Sequence, residues 1–543
     1  MTTLSMFTQD TDVSALWSLD VLGIMDPVQK QTKAAHEKEV LDGFLETTKL
    51  NSAGRYEVVL PWKVNHPPLV DNRPSAEHRL KKTINTLKSL NLLDDYQQVF
   101  DDWMQEGYIE QVPVCEVPRV SYYLPHRPVV KEGSSTRIRS VFGASAHEKA
   151  GPSLNDCLET GPNFIELIPS LLMRFREKEV AVIEERDHLR FLWYRDADPE
   201  KVIVYRHQRV VFGVSNSPFI LGATLNLHID SALRDARAES EKSVLRKLKK
   251  SFYVDNCVIS IDSHEEAGEF QRISSSVLES GGFDLRAWEY SGLKKTEPES
   301  SVLGLRWHRE EDTLSLVNPL VQKGKPSIIT KRTMLSLTQQ LFDPLGMICP
   351  VVICPKILLQ QVWAKGLDWD VRVDDEVRDA FVLWMDQLTW LKEVKIPRWL
   401  FKAEEEASRI SLHAFVDASS LAYAAVIFAR VESNNRVEVE FVSTKASISP
   451  KETIIPRLEL LAATVGARLM HSVVSAVPDL HCELYYWTDS STVLTWIQRN
   501  KQWATFVWNR IQEIRQLTDP EQWSHVPGVS NPADLASRGC TAK

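Results

Sequence analysis

Four carboxylates in the last quarter of the chain stand where carboxylates do chemistry. Asp417 closes the apolar run LHAFVDAS and Asp489 closes LYYWTDSS, while Glu459 lies in IPRLELLAA and Asp534 in NPADLASRG. Acids delivered by separate elements to one edge of a sheet can hold two Mg²⁺ ions through oxygen ligands alone. Two such ions, about 4 Å apart, activate a water and stabilise the leaving oxygen of a phosphodiester. Each acid also has a plainer reading: Asp489, directly before Ser490, fits a helix cap.

The elements around these acids read clearly. Apolar runs predict strands at 411–417, 424–430, 437–444 and 483–488, with helices at 456–475 and 490–498. This βββαβα order, with a helical C-terminus, describes a compact α/β domain. Pro456 marks the helix start, which sets Glu459 in the first turn. Leu458, Leu461, Ala462, Val465 and Leu469 form the expected buried stripe. Further upstream, Leu80, Ile84, Leu87 and Leu90 repeat at helical spacing. From Val117 to Val141 short apolar runs alternate with prolines, as strands and turns do, and carry Arg119, Arg127, Lys131, Arg137 and Arg139 beside Tyr122 and Tyr123. A basic, aromatic-bearing β segment suits a nucleic-acid surface and equally a solvated sheet face. Ser251 to Ile261 predicts two strands around a turn at Asp255-Asn256.

Composition bounds these readings. The 543 residues predict three or four domains, and 43% hydrophobic with 25% charged residues is ordinary for a globular chain. With 64 basic against 73 acidic side chains the net charge is −9, so any nucleic-acid surface must be local. Seven scattered cysteines without a C-x-x-C pair fit a reduced intracellular protein lacking a zinc module. The N-terminus has no secretory pattern, and the apolar stretch 345–359 is too short and proline-broken for a membrane span.

HAFVDAS, IPRLELLAA, WTDSSTVLTWI and HVPGVSNPADLASRG, in this order, resemble the ribonuclease H domain of retroelement polyproteins. The resemblance makes Asp417, Glu459, Asp489 and Asp534 metal-binding acids for two Mg²⁺ (or Mn²⁺) ions, and gives His525 a part in product release or proton transfer. Upstream, GRYEVVLPW, YLPHRPVVKE, SLNDCLETGPN, LRFLWY, VVFGVSNSPFILGATLN, FYVDN, FDLRAW, VLGLRWH and LFDPLG resemble the polymerase of BEL/Pao long-terminal-repeat retrotransposons. This implies an α+β multidomain Pol fragment: a helical tether (1–115), fingers and palm (116–292), a thumb or connection region (293–400) and a ribonuclease H-like domain (401–543). The expected partners are RNA–DNA hybrid, template-primer and other Pol and Gag products of the element, in the cytoplasm, in virus-like particles or in the nucleus, with no membrane. The 330–400 stretch carries a peptidase family label in Pao polyproteins, yet no Asp-Thr-Gly or Asp-Ser-Gly triplet occurs.

The polymerase region departs from its family. The resemblance makes Tyr253 and Asp255 the start of a Tyr-Val-Asp-Asp hairpin with Asp255 a metal ligand, but Asn256 replaces the second aspartate. Only five residues separate Ile183 from Leu189, where the family places its first catalytic aspartate. Gly143 stands where the family usually has aspartate. The implied protein has a degenerate, truncated palm and an intact ribonuclease H centre. Two alternatives stand beside it: a non-catalytic or co-opted nucleic-acid-binding remnant, and an active reverse transcriptase if the short junction is a gene-model artefact.

Overall fold

The computed structural model of this chain describes residues 27–542 apart from 53, 114, 118–120, 131–137, 148–150, 165–166, 184–191, 195–201, 208–213, 255, 284, 286–287, 293–298, 321–325, 403–408, 434–435 and 451–452. Helices Arg73–Ser89 and Leu93–Gln105 bury Leu80, Ile84, Leu87, Tyr96 and Phe100 on their inner faces. These join Ile138, Phe142 and Trp193 in one core. The hairpin of His126–Val130 and Ile138–Phe142 lies on that core. Behind it, strand Val180–Ile183 runs between Ile259–Ile261 and Glu289–Tyr290, antiparallel to both.

A four-stranded sheet follows, made from Glu299–Val302, Leu305–His308, Thr313–Leu316 and Lys395–Pro397. Helices Lys331–Thr338, Cys349–Ala364 and Asp375–Gln387 bury their apolar faces in its core. The 345–359 stretch is therefore interior. Among the described residues no helix is long and apolar enough to cross a membrane.

The last domain is a five-stranded sheet. Its elements are β1 (Arg409–Ala418), β2 (Ala422–Ser433), β3 (Arg436–Ile448), α1 (Ile455–Ala476), β4 (Glu483–Thr488), α2 (Ser491–Gln498), α3 (Thr505–Leu517), β5 (Trp523–His525) and α4 (Ala533–Arg538). The strand order is β3-β2-β1-β4-β5; the first three are antiparallel and β1, β4 and β5 are parallel. Leu412, Ala414 and Val416 of β1 face Leu458, Ala463, Ala467 and Met470 of α1. The expected Leu461, Val465 and Leu469 instead pack at the margin of this core. Small residues win the centre because α1 lies close: a Cβ on Gly466 would sit 2.5 Å from Val416 Cγ1.

Two buried arginines tie this domain to what precedes it. Arg398 pairs bidentately with Asp312, at 2.6 and 2.7 Å, and donates to the carbonyls of Phe175 and Lys178. Arg176 donates to the carbonyls of Val442, Phe441 and Pro397, so it stitches helix Ile168–Phe175 to β3. Burial pulls its guanidinium down to about 9, which leaves it protonated at neutral pH. The edge strand β3 is covered by the LFDPLG turn: Thr444 N–H and Ser443 Oγ both donate to the Leu345 carbonyl, at 2.8 and 2.9 Å. Gly346 has φ +79°, and any Cβ there would run into Thr444 O. Gly346→Ala is expected to destabilise the chain by about 2 kcal/mol or more in denaturant unfolding, since strain and overlap add; an unchanged midpoint would show that the turn does not need its glycine.

Candidate active site

Register brings the acids together. On the parallel strands Val416 of β1 is level with Thr488 of β4, so Asp417 and Asp489 follow side by side at the same strand ends. Thr488 is level in turn with His525 on β5. The carboxyl ends of parallel strands thus gather three of the predicted residues, the usual place for a site on such a sheet.

Glu459 reaches this end from α1. The helix starts at Ile455 with Ile454 as its cap residue, so Glu459 is its fifth residue and not, as the sequence suggested, in its first turn. Ser490 Oγ donates to Glu459 Oε2 at 2.5 Å and accepts the Val493 N–H at 3.2 Å. That bond also settles the cap question: Ser490, not Asp489, caps α2. Asp489 is left free of capping, with the turn of Gly528 against its Oδ2. Asp534 is held in place by Asn531, whose side chain donates to Val416 O at 2.9 Å and accepts the Ala533 N–H. Ser537 donates to Asp417 Oδ2, and Arg538 pairs with Asp534 Oδ1. His525 is exposed, with Nε2 3.2 Å from the Asp489 carbonyl.

Electrostatics shows how crowded the cluster is. Burial raises the Asp417 carboxyl above its ordinary value, and the charges of Asp489 and Asp534 push it further, against the Ser537 hydrogen bond and the Arg538 charge. Glu459 is raised the same way, by burial and then by Asp489 and Asp417, against its bond from Ser490. Among the described residues no group of three or more His, Cys, Asp or Glu side chains is disposed so as to hold a metal ion. The donor set is nonetheless all oxygen and anionic, the chemistry that hard divalent cations take. Ser490, Asn531, Ser537 and Arg538 escaped the sequence reading; only the spacing of Ser537 and Arg538, three and four residues after Asp534, hinted at contact on one helix face.

The other predicted residues form no second centre among the described residues. Tyr253 and Asn256 pair across a hairpin, so Asn256 belongs to a strand and not, as the sequence suggested, to the turn. Val254 there has φ +59°, a strained value for a β-branched residue. Asp255 and the 184–191 junction lie outside the described residues, as do Arg119, Lys131 and Arg137. Arg127 is exposed opposite Val141, and Arg139 is opposite Val129, so positions 127 and 139 share a face of the hairpin. Two other basic runs are spent internally. Arg246, Lys247 and Lys249 pair with Glu239, Glu266 and Asp230. Arg332 pairs with Asp370, and Lys331 is buried beside Trp363 and Trp369.

Comparison with known proteins follows the same outline. Residues 330–490 match the family described as Pao retrotransposon-like RNaseH-like domain. No curated protein matches the chain. Among solved structures, the foamy viral protease-reverse transcriptase dRH in complex with double-stranded DNA is similar at 12% identity, over 91% of this chain and 82% of that one, with a TM-score of 0.52. The foamy viral protease-reverse transcriptase in complex with dsDNA is 14% identical over 94% of this chain and 95% of that one (TM-score 0.49). The same enzyme in complex with RNA/DNA hybrid is 12% identical over 92% and 63% (TM-score 0.49). The first likeness establishes the fold: an α+β, reverse-transcriptase-like chain that ends in an RNase H-like domain. The match over 330–490 shows that this stretch carries a Pao retrotransposon-like RNaseH-like domain.

The raised carboxyls carry a stability cost with a defined sign. Between the ordinary and the raised pKa values the folded protein binds more protons than the unfolded chain, so stability falls as pH rises through that window. Asp417→Asn keeps an acceptor for Ser537 and removes one repelling charge. It is expected to raise Tm by roughly 2–4 °C, as about 1 kcal/mol does in a domain of this size, and to flatten the pH dependence. A lower Tm with the full pH slope would mean that the acids do not repel one another.

Proposed function

We propose that this chain is a retrotransposon Pol fragment whose last domain hydrolyses the RNA strand of RNA–DNA hybrids. The observation that carries this reading is the gathering of Asp417, Glu459, Asp489 and Asp534 at one end of the sheet, where burial and then the neighbouring acids raise the Asp417 and Glu459 carboxyls. Asp417, Glu459, Asp489 and Asp534 would hold two Mg²⁺ or Mn²⁺ ions, which when bound supply an activated water and neutralise charge on the phosphodiester.

The protein's own groups prepare that centre. Ser537 and Ser490 aim one oxygen each of Asp417 and Glu459, and leave the other oxygens free. Asn531 fixes the start of α4 against β1, which sets the reach of Asp534. Arg538 balances part of the negative charge while the site awaits substrate. His525 stands at the solvent edge beside Asp489, where its ring can pass a proton to the departing 3′-oxygen or escort product away.

The polymerase region is read as catalytically degenerate. Asn256 brings one negative charge fewer to the hairpin, and five residues between Ile183 and Leu189 leave little room for an aspartate-bearing turn. The test is one protein in two assays. In Mg²⁺ the full chain is expected to cut RNA only when it is paired with DNA, with Asp417→Asn at least ~10²-fold slower. It is expected not to extend a template-primer. Equal cleavage by wild type and Asp417→Asn would remove the site assignment; robust primer extension would remove the degeneracy; tight hybrid binding without cleavage would favour a non-catalytic remnant.

A further inference from the structure

An acidic centre repels the phosphates it must handle, and several of the domain's cations are spent on carboxylates. Arg409 pairs with Glu483, Arg430 with Glu432, Arg436 with Glu438 and Arg468 with Glu513. Arg457 and Arg510 differ. Arg457, on α1, lies 5.2 Å from the centroid of the Phe506 ring, and Arg510, one turn along α3 from Phe506, lies 4.1 Å from the same centroid. Among the described residues neither has an ion-pair partner. The nearby carboxylate of Glu513 is already engaged twice by Arg468, at 2.5 and 2.9 Å.

One aromatic ring therefore holds two guanidiniums within about one Debye length, ~8–10 Å at physiological salt. Like charges kept this close repel, and Arg457 meets further positive potential from the start of the 22-residue α1. Arg510 is partly desolvated as well: burial lowers its pKa, against the charge of Glu513 and with that of Arg468. Cation–π contact with the Phe506 ring holds both guanidiniums in place. Two guanidiniums held around one ring with no carboxylate partner present paired donors to an anion with several charges. Arg457 lies two residues before Glu459 in the first turns of α1, so the pair sits at the same end of that helix as one carboxylate of the centre, on a different face.

We propose that Arg457 and Arg510, arrayed by Phe506, form a backbone clamp that takes two phosphates of the nucleic-acid duplex whose neighbouring phosphodiester enters the carboxylate centre. The clamp rests on the hybrid-cleaving reading above and names the surface that recognises its substrate. Contact with the backbone and not the bases makes binding insensitive to sequence. Phe506 keeps both planar groups oriented and lowers the rotamer entropy lost on binding.

The test uses the full chain carrying Asp417→Asn, so that bound RNA survives, and a fluorescent RNA–DNA hybrid titrated at 50 to 200 mM salt. Adding Arg457→Ala and Arg510→Ala is expected to weaken binding about tenfold or more and to lower the log–log salt slope by about 2, one unit for each phosphate contact. Lysines at both positions keep the charge and should retain most of the slope, which guards against misfolding. Phe506→Leu should weaken binding by an intermediate amount. Alanines at Arg372 and Arg378, which pair with Asp375, should change nothing. An unchanged slope in the 457/510 double alanine, with the parent still binding hybrid, overturns the clamp and leaves the proposed function standing. If the parent itself binds no hybrid, the function fails and the clamp with it.

Discussion

Like-charge crowding at the ends of β1 and β4 is the constraint on which the rest of this domain depends. Parallel register sets Asp417 beside Asp489 whether or not their charges agree. Glu459 and Asp534 then arrive from helices, and burial makes the charges of Asp417 and Glu459 more costly. Four carboxylates in such a place need hydrogen bonds and cations to stay. Ser490, Ser537 and Arg538 provide part of that compensation, each from an element that must be folded to do so. The site is thus assembled by the domain as a whole.

The domain is not isolated. Arg398 locks the strand that ends at Pro397 to Asp312 and to the carbonyls after Ile168–Phe175, while Arg176 reaches from that helix to β3. Breaking one partner of such a buried set leaves an uncompensated charge, which costs several kcal/mol. The LFDPLG turn closes the remaining edge of the sheet. These contacts join the reverse-transcriptase-like region directly to the RNase H-like domain.

Much of this was legible in the sequence, for identifiable reasons. Alternating apolar residues in LHAFVDAS and LYYWTDSS marked strands whose next acid fell at their ends, and the structure extends the strands by only a few residues. The helix of Glu459 was placed within one residue at each end, yet its start came one residue early, and that moved Glu459 out of the first turn. Asn256 was read into a turn because Asp-Asn is a good turn dipeptide, whereas its pairing with Tyr253 makes it a strand residue. The basic side chains of 246–249 and 331–332 are absorbed by carboxylates outside those runs and by two tryptophans. Side-chain partners of that kind are a property of the tertiary fold and leave no local pattern. Net charge was the weakest guide, since −9 describes neither the acidic centre nor the two arginines around the Phe506 ring.

The central claim is that the four carboxylates form one centre short of positive charge, which a divalent cation completes. Calorimetric titration of Mn²⁺ into the full chain, read with the shift in Tm, tests this most directly. The account predicts saturable binding that raises Tm, with binding and shift both largely lost in Asp417→Asn. Identical Mn²⁺ titrations for the two proteins would contradict it.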